Sequence, residues 1–193
     1  ENVAPVVAAL EKGAKAVDLS ADFRLKDAAE YQKWYKIAHP APNYLKEAVY
    51  GLTELNREQV AKARLVANPG CYPTSAILAM APALKEGLIE PDIIFDSKSG
   101  VSGAGRTLTL NTHYAEANEN VSAYALDGHR HLPEIVQELQ KLAPKSKLSV
   151  TFLPHLIPMT RGILTSCYAS LKARKVADGE KSKQEIRKLY QEF

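Results

Sequence analysis

A chain of 193 residues, 46% of them hydrophobic and 24% charged, can bury a core and is neither disordered nor fibrous in composition. Its 25 basic and 22 acidic residues leave a net charge of only +3, and no basic stretch is interleaved with stacking aromatics, which argues against a nucleic-acid partner. The longest mainly apolar run, Ala76 to Leu84, is too short to cross a bilayer, so no membrane partner is expected. Two cysteines, Cys71 and Cys167, cannot form a disulfide framework, and no signal peptide opens the chain; both points favour a cytoplasmic setting.

Val3, Val6, Val7 and Leu10 recur at helical spacing over Asn2–Lys12. Ala14–Leu19 reads as a short buried parallel strand, and Ser20-Ala21-Asp22 as the turn after it. A helix is expected over Ala28–Lys36, a proline-pinned loop over His39–Asn43, and an Asn56-capped helix over Arg57–Ala63. Leu65–Ala67 is a second buried strand, broken by Asn68-Pro69-Gly70, and a strong helical pattern runs from Tyr72 to Lys85. Helix, strand, helix, strand, helix is the rhythm of a doubly wound α/β sheet.

After Gly87 the rhythm changes. Strands are expected at Asp92–Asp96, Val121–Leu126, Leu148–Leu153 and Ile163–Leu171, with a loop over Ser97–Arg106 and a helix starting near Leu132. Longer strands with fewer helices between them suggest an α+β mixed sheet, with a boundary between Cys71 and Lys85. Ala173–Lys183 reads as a solvated turn, and Ile186, Leu189 and Tyr190 mark a last helix. Because residue 1 is Glu and both ends fall inside helical patterns, the chain is expected to be a piece of a longer protein.

Three clusters carry chemistry. Cys71 sits where a strand ends and a helix begins, the place where a thiolate and a developing oxyanion are both favoured. Gly70 allows the sharp turn there, and Pro73 suits a first helical turn. The alternative is a small buried filler, which is the reading for Cys167. His129 and His131 flank Arg130 in GHRHLPEI; either is a candidate proton carrier, and either could instead cap the helix that follows. Zinc on Cys71, His129 and His131 is a weak pattern, and no metal is expected. The glycines and serines of SKSGVSGAGR suit a phosphate or a nicotinamide ring, with Arg106 able to grip a phosphate, or they form an ordinary flexible loop. In FLPHLIPMTRG, two prolines could hold His155 and Arg161 toward a site, or simply bend a connection between strands.

The stretch VANPGCYPTSAILAMAP, Val66–Pro82, closely resembles the active-site signature of the N-acetyl-γ-glutamyl-phosphate reductases of arginine biosynthesis, within the aspartate-semialdehyde dehydrogenase-like superfamily. Ser75 stands where that family usually has Gly or Ala. LSADFRL, VYGLTELNRE, SGVSGAGR, HRHLPEI and FLPHLIPMTRGI extend the resemblance across the chain in the family's order. The resemblance implies that residues 1–75 complete a dinucleotide-binding domain, with the glycine fingerprint lying before residue 1. Residues 76–193 would begin an α+β substrate and dimerisation domain that extends past Phe193.

It further implies NADPH-dependent reduction of an acyl phosphate to a semialdehyde through a thioester on Cys71. His129 by preference, then His131, would move the proton. Ser20, Ala21, Ser99, Gly100, Ser102 and Gly103 would lie near NADP, and Arg106, His155 and Arg161 near the substrate's phosphate or carboxylate. A homo-oligomer, dimer or tetramer, is expected. Without the fingerprint the isolated chain should bind NADP poorly. Rival readings are the aspartyl-phosphate enzyme, an N-acetyl-aminoadipyl-phosphate reductase of lysine biosynthesis, a cysteine hydrolase, and a non-catalytic oligomerisation fragment; one methylene separates the first-choice substrate from the aminoadipyl one.

Overall fold

The apolar spacing at the start of the chain folds as α1, Val3–Glu11, in a computed structural model that describes residues 3–173 and 179–193. The chain divides into two units, Glu1–Gly70 and Cys71–Phe193.

In the first unit, β1 (Ala16–Asp18), β2 (Val49–Tyr50) and β3 (Leu65–Ala67) form an all-parallel sheet in the order β1-β3-β2. Val3, Leu10, Phe23, Leu45, Ala48, Leu65 and Ala67 make its core. The expected burial of the first strand holds on one face only: Asp18 is buried, while Val17, pointing to the other face, is 65% exposed. The helix α2, Ala28–Tyr35, starts where Asp27 accepts the Ala29 amide at 2.8 Å, a cap worth about 1 kcal/mol. Two expectations are corrected here. The short helix α3, Asn43–Glu47, occupies the end of what reads as a loop. The helix α4 runs from Thr53 to Lys62 and kinks at Asn56, whose side chain donates to the Tyr50 carbonyl at 3.0 Å instead of capping a helix.

The second unit opens with α5, Cys71–Lys85, followed by β4 (Ile89–Gly100), α6 (Tyr114–Ala117), β5 (Ser122–Ala123), α7 (Leu132–Leu142), β6 (Ser149–Ile157), β7 (Ile163–Leu171) and α8 (Glu180–Glu192). The sheet order is β5-β6-β4-β7; β4 runs parallel to β6 and antiparallel to β7. This mixed sheet matches the α+β expectation, but strand lengths do not. With partners on both sides, β4 continues through Ser97–Gly100, where the sequence suggests a loop. Likewise β6 runs through Pro154 and His155, so the proline-bent connection begins only after Ile157. The strand expected over Val121–Leu126 shrinks to two residues. Of the expected Ala173–Lys183 turn, residues 174–178 lie outside the described residues.

Helix α7 buries Ile135 and Leu139 completely, each worth about 2 kcal/mol, and packs with α5 over one face of the sheet. The Tyr190 hydroxyl of α8 donates to the Ala79 carbonyl of α5 at 2.7 Å. The opposite sheet face is open. Ile94, Leu164 and Tyr168 are 45%, 64% and 56% exposed on it, and Tyr168 lies in register with Ile94.

Candidate active site

Cys71 is the first residue of α5 and is exposed, whereas its neighbour Tyr72 is buried. Pro73 falls in the first turn, where the helix needs no amide from it. Tyr72 turns toward an aromatic box built by three other elements. The His129 ring lies edge-on to Tyr72 at 5.7 Å, to Tyr124 at 5.6 Å and to Phe152 at 5.5 Å, with His131 at 4.7 Å. Tyr124 immediately follows β5, Phe152 belongs to β6, and His129 and His131 precede α7. A turn closed by the Gly128 amide on the Ala125 carbonyl at 3.0 Å brings Tyr124 and His129 side by side. Ala125 there has φ 50°, a left-handed conformation costly for a residue with a β-carbon.

One backbone bond sets the chemistry of the box. The His131 amide donates to Nδ1 of His129 at 3.1 Å, so the neutral ring carries its proton on Nε2. Burial, and then the adjacent Arg130 cation, hold the His129 pKa down at about 4, so the imidazole is uncharged at neutral pH. The Tyr124 hydroxyl donates to the Tyr72 hydroxyl at 2.9 Å, and Tyr72 donates to the His155 carbonyl at 3.3 Å. The Ser99 hydroxyl donates to the Gly100 carbonyl at 3.0 Å. Burial raises both tyrosines above the usual phenol range, and a charge on Cys71 pushes in the same direction, so the Cys71 sulfur is an electrostatic neighbour of both rings.

The structure therefore gathers His129 and His131 around Tyr72, the residue after Cys71, and sends other candidates elsewhere. The His155 side chain is on β6, in the row facing away from Phe152, where its Nδ1 lies 3.2 Å from Asp96 without the alignment of a hydrogen bond; Lys98 pairs with the same carboxylate. Arg106 and Ser102 line a separate cavity of about 550 Å3 with Thr107, Tyr114, Met159 and Thr160. Arg161 directly follows that wall, exposed.

The glycine-rich loop is not a free set of phosphate donors. Its Gly100, Val101 and Ser102 amides donate to the carbonyls of Gly162, Met159 and Thr160 at 2.9, 2.9 and 3.1 Å. A β-carbon on Gly100 would lie 2.8 Å from the Arg161 nitrogen, and one on Gly103 2.7 Å from the Ser99 hydroxyl. These two glycines thus serve packing within the unit. In the first unit, Ser20 and Ala21 lie just beyond the carboxyl end of β1, the edge where open parallel sheets hold dinucleotides. The Ser20 hydroxyl is already committed, donating to Asp18 at 2.7 Å and accepting the Asp22 amide at 3.1 Å. Among the described residues, no cluster of three or more His, Cys, Asp or Glu could hold a metal ion, and no helix is long and apolar enough to cross a membrane.

Sequence reasoning overlooked Tyr72, Tyr124 and Phe152. An aromatic after the cysteine and another five residues before the first histidine were the available signals, but only the turn at Ala125 makes them neighbours.

A parallel α/β unit is followed in the chain by a unit with a mixed sheet backed by helices. Residues 2–63 match the model described as the semialdehyde dehydrogenase NAD binding domain, and residues 71–193 that of the semialdehyde dehydrogenase dimerisation domain. The chain belongs to the semialdehyde dehydrogenase family. It is 56% identical over 193 residues to the N-acetyl-gamma-glutamyl-phosphate reductase of Dehalococcoides mccartyi strain CBDB1, covering 100% of this chain and 55% of that protein. It is 53% identical over 192 residues to that of Heliobacterium modesticaldum, covering 97% and 53%. The chain thus spans about half the length of the curated relatives it matches, and they bear out the resemblance read from the sequence. Aspartate semialdehyde dehydrogenase II from Vibrio cholerae shares the fold, with a TM-score of 0.66 at 18% identity over 97% of this chain and 57% of that one.

The two cysteines should separate by reactivity. Burial pushes the Cys167 thiol up to about 11, so it stays protonated and unreactive below that pH, while Cys71 is exposed. Iodoacetamide at pH 7.5, read by peptide mass spectrometry, should modify Cys71 and spare Cys167. Equal labelling, or Cys167 first, would contradict the assignment.

Proposed function

We propose that the chain is the catalytic and subunit-contact portion of an NADP-dependent N-acetyl-γ-glutamyl-phosphate reductase acting in arginine biosynthesis in the cytoplasm. The observation that carries the reading is an exposed cysteine at the start of α5, next in the chain to Tyr72, whose ring meets a neutral His129 that carries its proton on Nε2. The choice of N-acetylglutamyl over an aminoadipyl substrate rests on the relatives' names.

In this reading the Cys71 thiolate attacks the acyl carbon, the C–O bond to phosphate breaks, and a thioester forms. The departing phosphate takes up the one proton that the overall reaction consumes, and His131, in the same box, is its candidate carrier. The nicotinamide, when bound, supplies hydride to the thioester carbon; Ser20 and Ala21, at the carboxyl edge of the parallel sheet, fit its dinucleotide, and Ser102 faces the Arg106 cavity. The tetrahedral oxyanion then collapses to aldehyde and returns Cys71 as thiolate, with no further proton needed. His129 serves as a neutral hydrogen-bond donor to that oxyanion. Its tautomer supports this donor role over the proton-carrier role expected from the sequence, because Nδ1 is occupied and Nε2 has no free lone pair. Arg106 and Arg161 would hold the substrate's anionic groups. The Asp96 contact gives His155 a partner on the sheet face instead.

In a full-length protein carrying this chain, Cys71→Ser should lower NADPH-dependent reduction by roughly a thousandfold or more, with cofactor affinity near that of the wild type. Steady-state kinetics and NADPH titration check this, and activity within about tenfold of wild type would contradict the covalent step.

The open sheet face supports self-association, since Ile94, Leu164 and Tyr168 would otherwise leave an apolar row in water. A second copy laid on that face would be an isologous dimer, in keeping with the family's dimerisation domain. The double substitution Leu164→Lys, Tyr168→Glu should shift the protein to monomer in sedimentation analysis. An unchanged mass would place the contact elsewhere.

A further inference from the structure

The aromatic box contains a residue that the proposed chemistry does not use. No step of that chemistry is assigned to Tyr124, yet it joins the two sides of the site. Its ring is edge-on to His129 at 5.6 Å, and its hydroxyl donates at 2.9 Å to Tyr72, the residue next to Cys71. Tyr72 in turn is tied to β6 through the His155 carbonyl at 3.3 Å. The chain adopts a left-handed Ala125, at φ 50°, to put Tyr124 there. Strain beside a site is retained when the position it secures matters.

We infer that Tyr124 is a positioning residue: its ring seals one side of His129 from water, and its hydroxyl fixes the distance between the His129 ring and the start of α5. The inference rests on the role given to His129 above. The ring function follows from packing, because the half-buried His129 is walled by Tyr72, Tyr124, Phe152 and His131. The ionisable groups facing His129 are Tyr72 from α5, Tyr124 from the strand end, His131 and Arg130 from its own segment, and Cys71 beside the tyrosines. Of these, Arg130 is the cation that acts on the His129 ring. Opening the Tyr124 wall admits water without removing that charge. The hydroxyl function follows from connectivity: it is the bond that links the turn carrying Tyr124 to the residue beside the nucleophile.

Two variants separate the two functions. Tyr124→Phe keeps the wall and cuts the tie; Tyr124→Ala removes both. NMR titration of the His129 ring in the chain reads the wall directly and needs no activity. The Phe variant should leave the His129 pKa low, and the Ala variant should raise it by about a unit or more toward the ordinary histidine value. In a full-length protein carrying the chain, the Phe variant should lose about tenfold in kcat with KM nearly unchanged, since misplacement affects the transition state more than binding. A His129 titration in the Ala variant equal to wild type overturns the sealing role. Unchanged kcat in the Phe variant overturns the tie, and it does so even if the Ala variant does not fold. If the titration moves as stated while kcat is unaffected in both variants, the sealing role alone stands, and the tie and the catalytic role of His129 both fall.

Discussion

The 3.1 Å bond from the His131 amide to Nδ1 of His129 is the constraint on which the site depends. A free imidazole exchanges its proton between two nitrogens and titrates near neutrality. Here a backbone amide two residues on, fixed by the start of α7, occupies one nitrogen and so determines what the other can do. The same device recurs in the first unit, where the Ala41 amide donates to Nδ1 of buried His39 at 3.1 Å and leaves Nε2 to meet the Asp22 carbonyl at 2.8 Å. At His39 the Nε2 proton is spent inside the fold, and the result is structural. Among the described residues none takes the Nε2 proton of His129, and that proton remains for chemistry.

The pleat of the mixed sheet separates two groups that the sequence leaves side by side. Alternate residues of β6 face opposite ways, so Phe152, Pro154 and Leu156 are buried on the helix side while His155 looks the other way toward Asp96 and Lys98. Only the backbone of His155 serves the aromatic box, as acceptor for Tyr72. Asp96 lies on that face between Lys98, which pairs with its carboxylate, and the His155 ring. The helix side thus carries the chemistry and the open side the surface proposed for a second copy.

The sequence made the architecture legible where local chemistry and tertiary packing agree. Gly70, Pro73 and the apolar spacing of Ala76, Ile77 and Met80 place α5 correctly, and the strand–helix rhythm before it gives the parallel sheet. It was misleading where partners override local signals. Ser97–Gly100 looks like a loop because its residues are small and polar, yet two neighbouring strands hydrogen-bond it into β4. Pro154 looks like a strand breaker, but β6 continues through it in register with Ser97. Asn56 has a capping side chain, but the nearby Tyr50 carbonyl takes its donor. For the site, residue type pointed to Cys71, His129 and His131. Periodicity could not reveal that Tyr124 closes the same box, because its placement depends on a left-handed alanine that no local propensity favours.

The central claim is that His129 stands uncharged with its proton on Nε2 while Cys71 works beside it. A two-dimensional 15N–1H correlation of the histidine side chains, recorded on the wild-type chain at pH 7, observes this directly. The account predicts the Nε2–H tautomer at His129. An Nδ1–H tautomer, or a doubly protonated imidazolium at that pH, would contradict it.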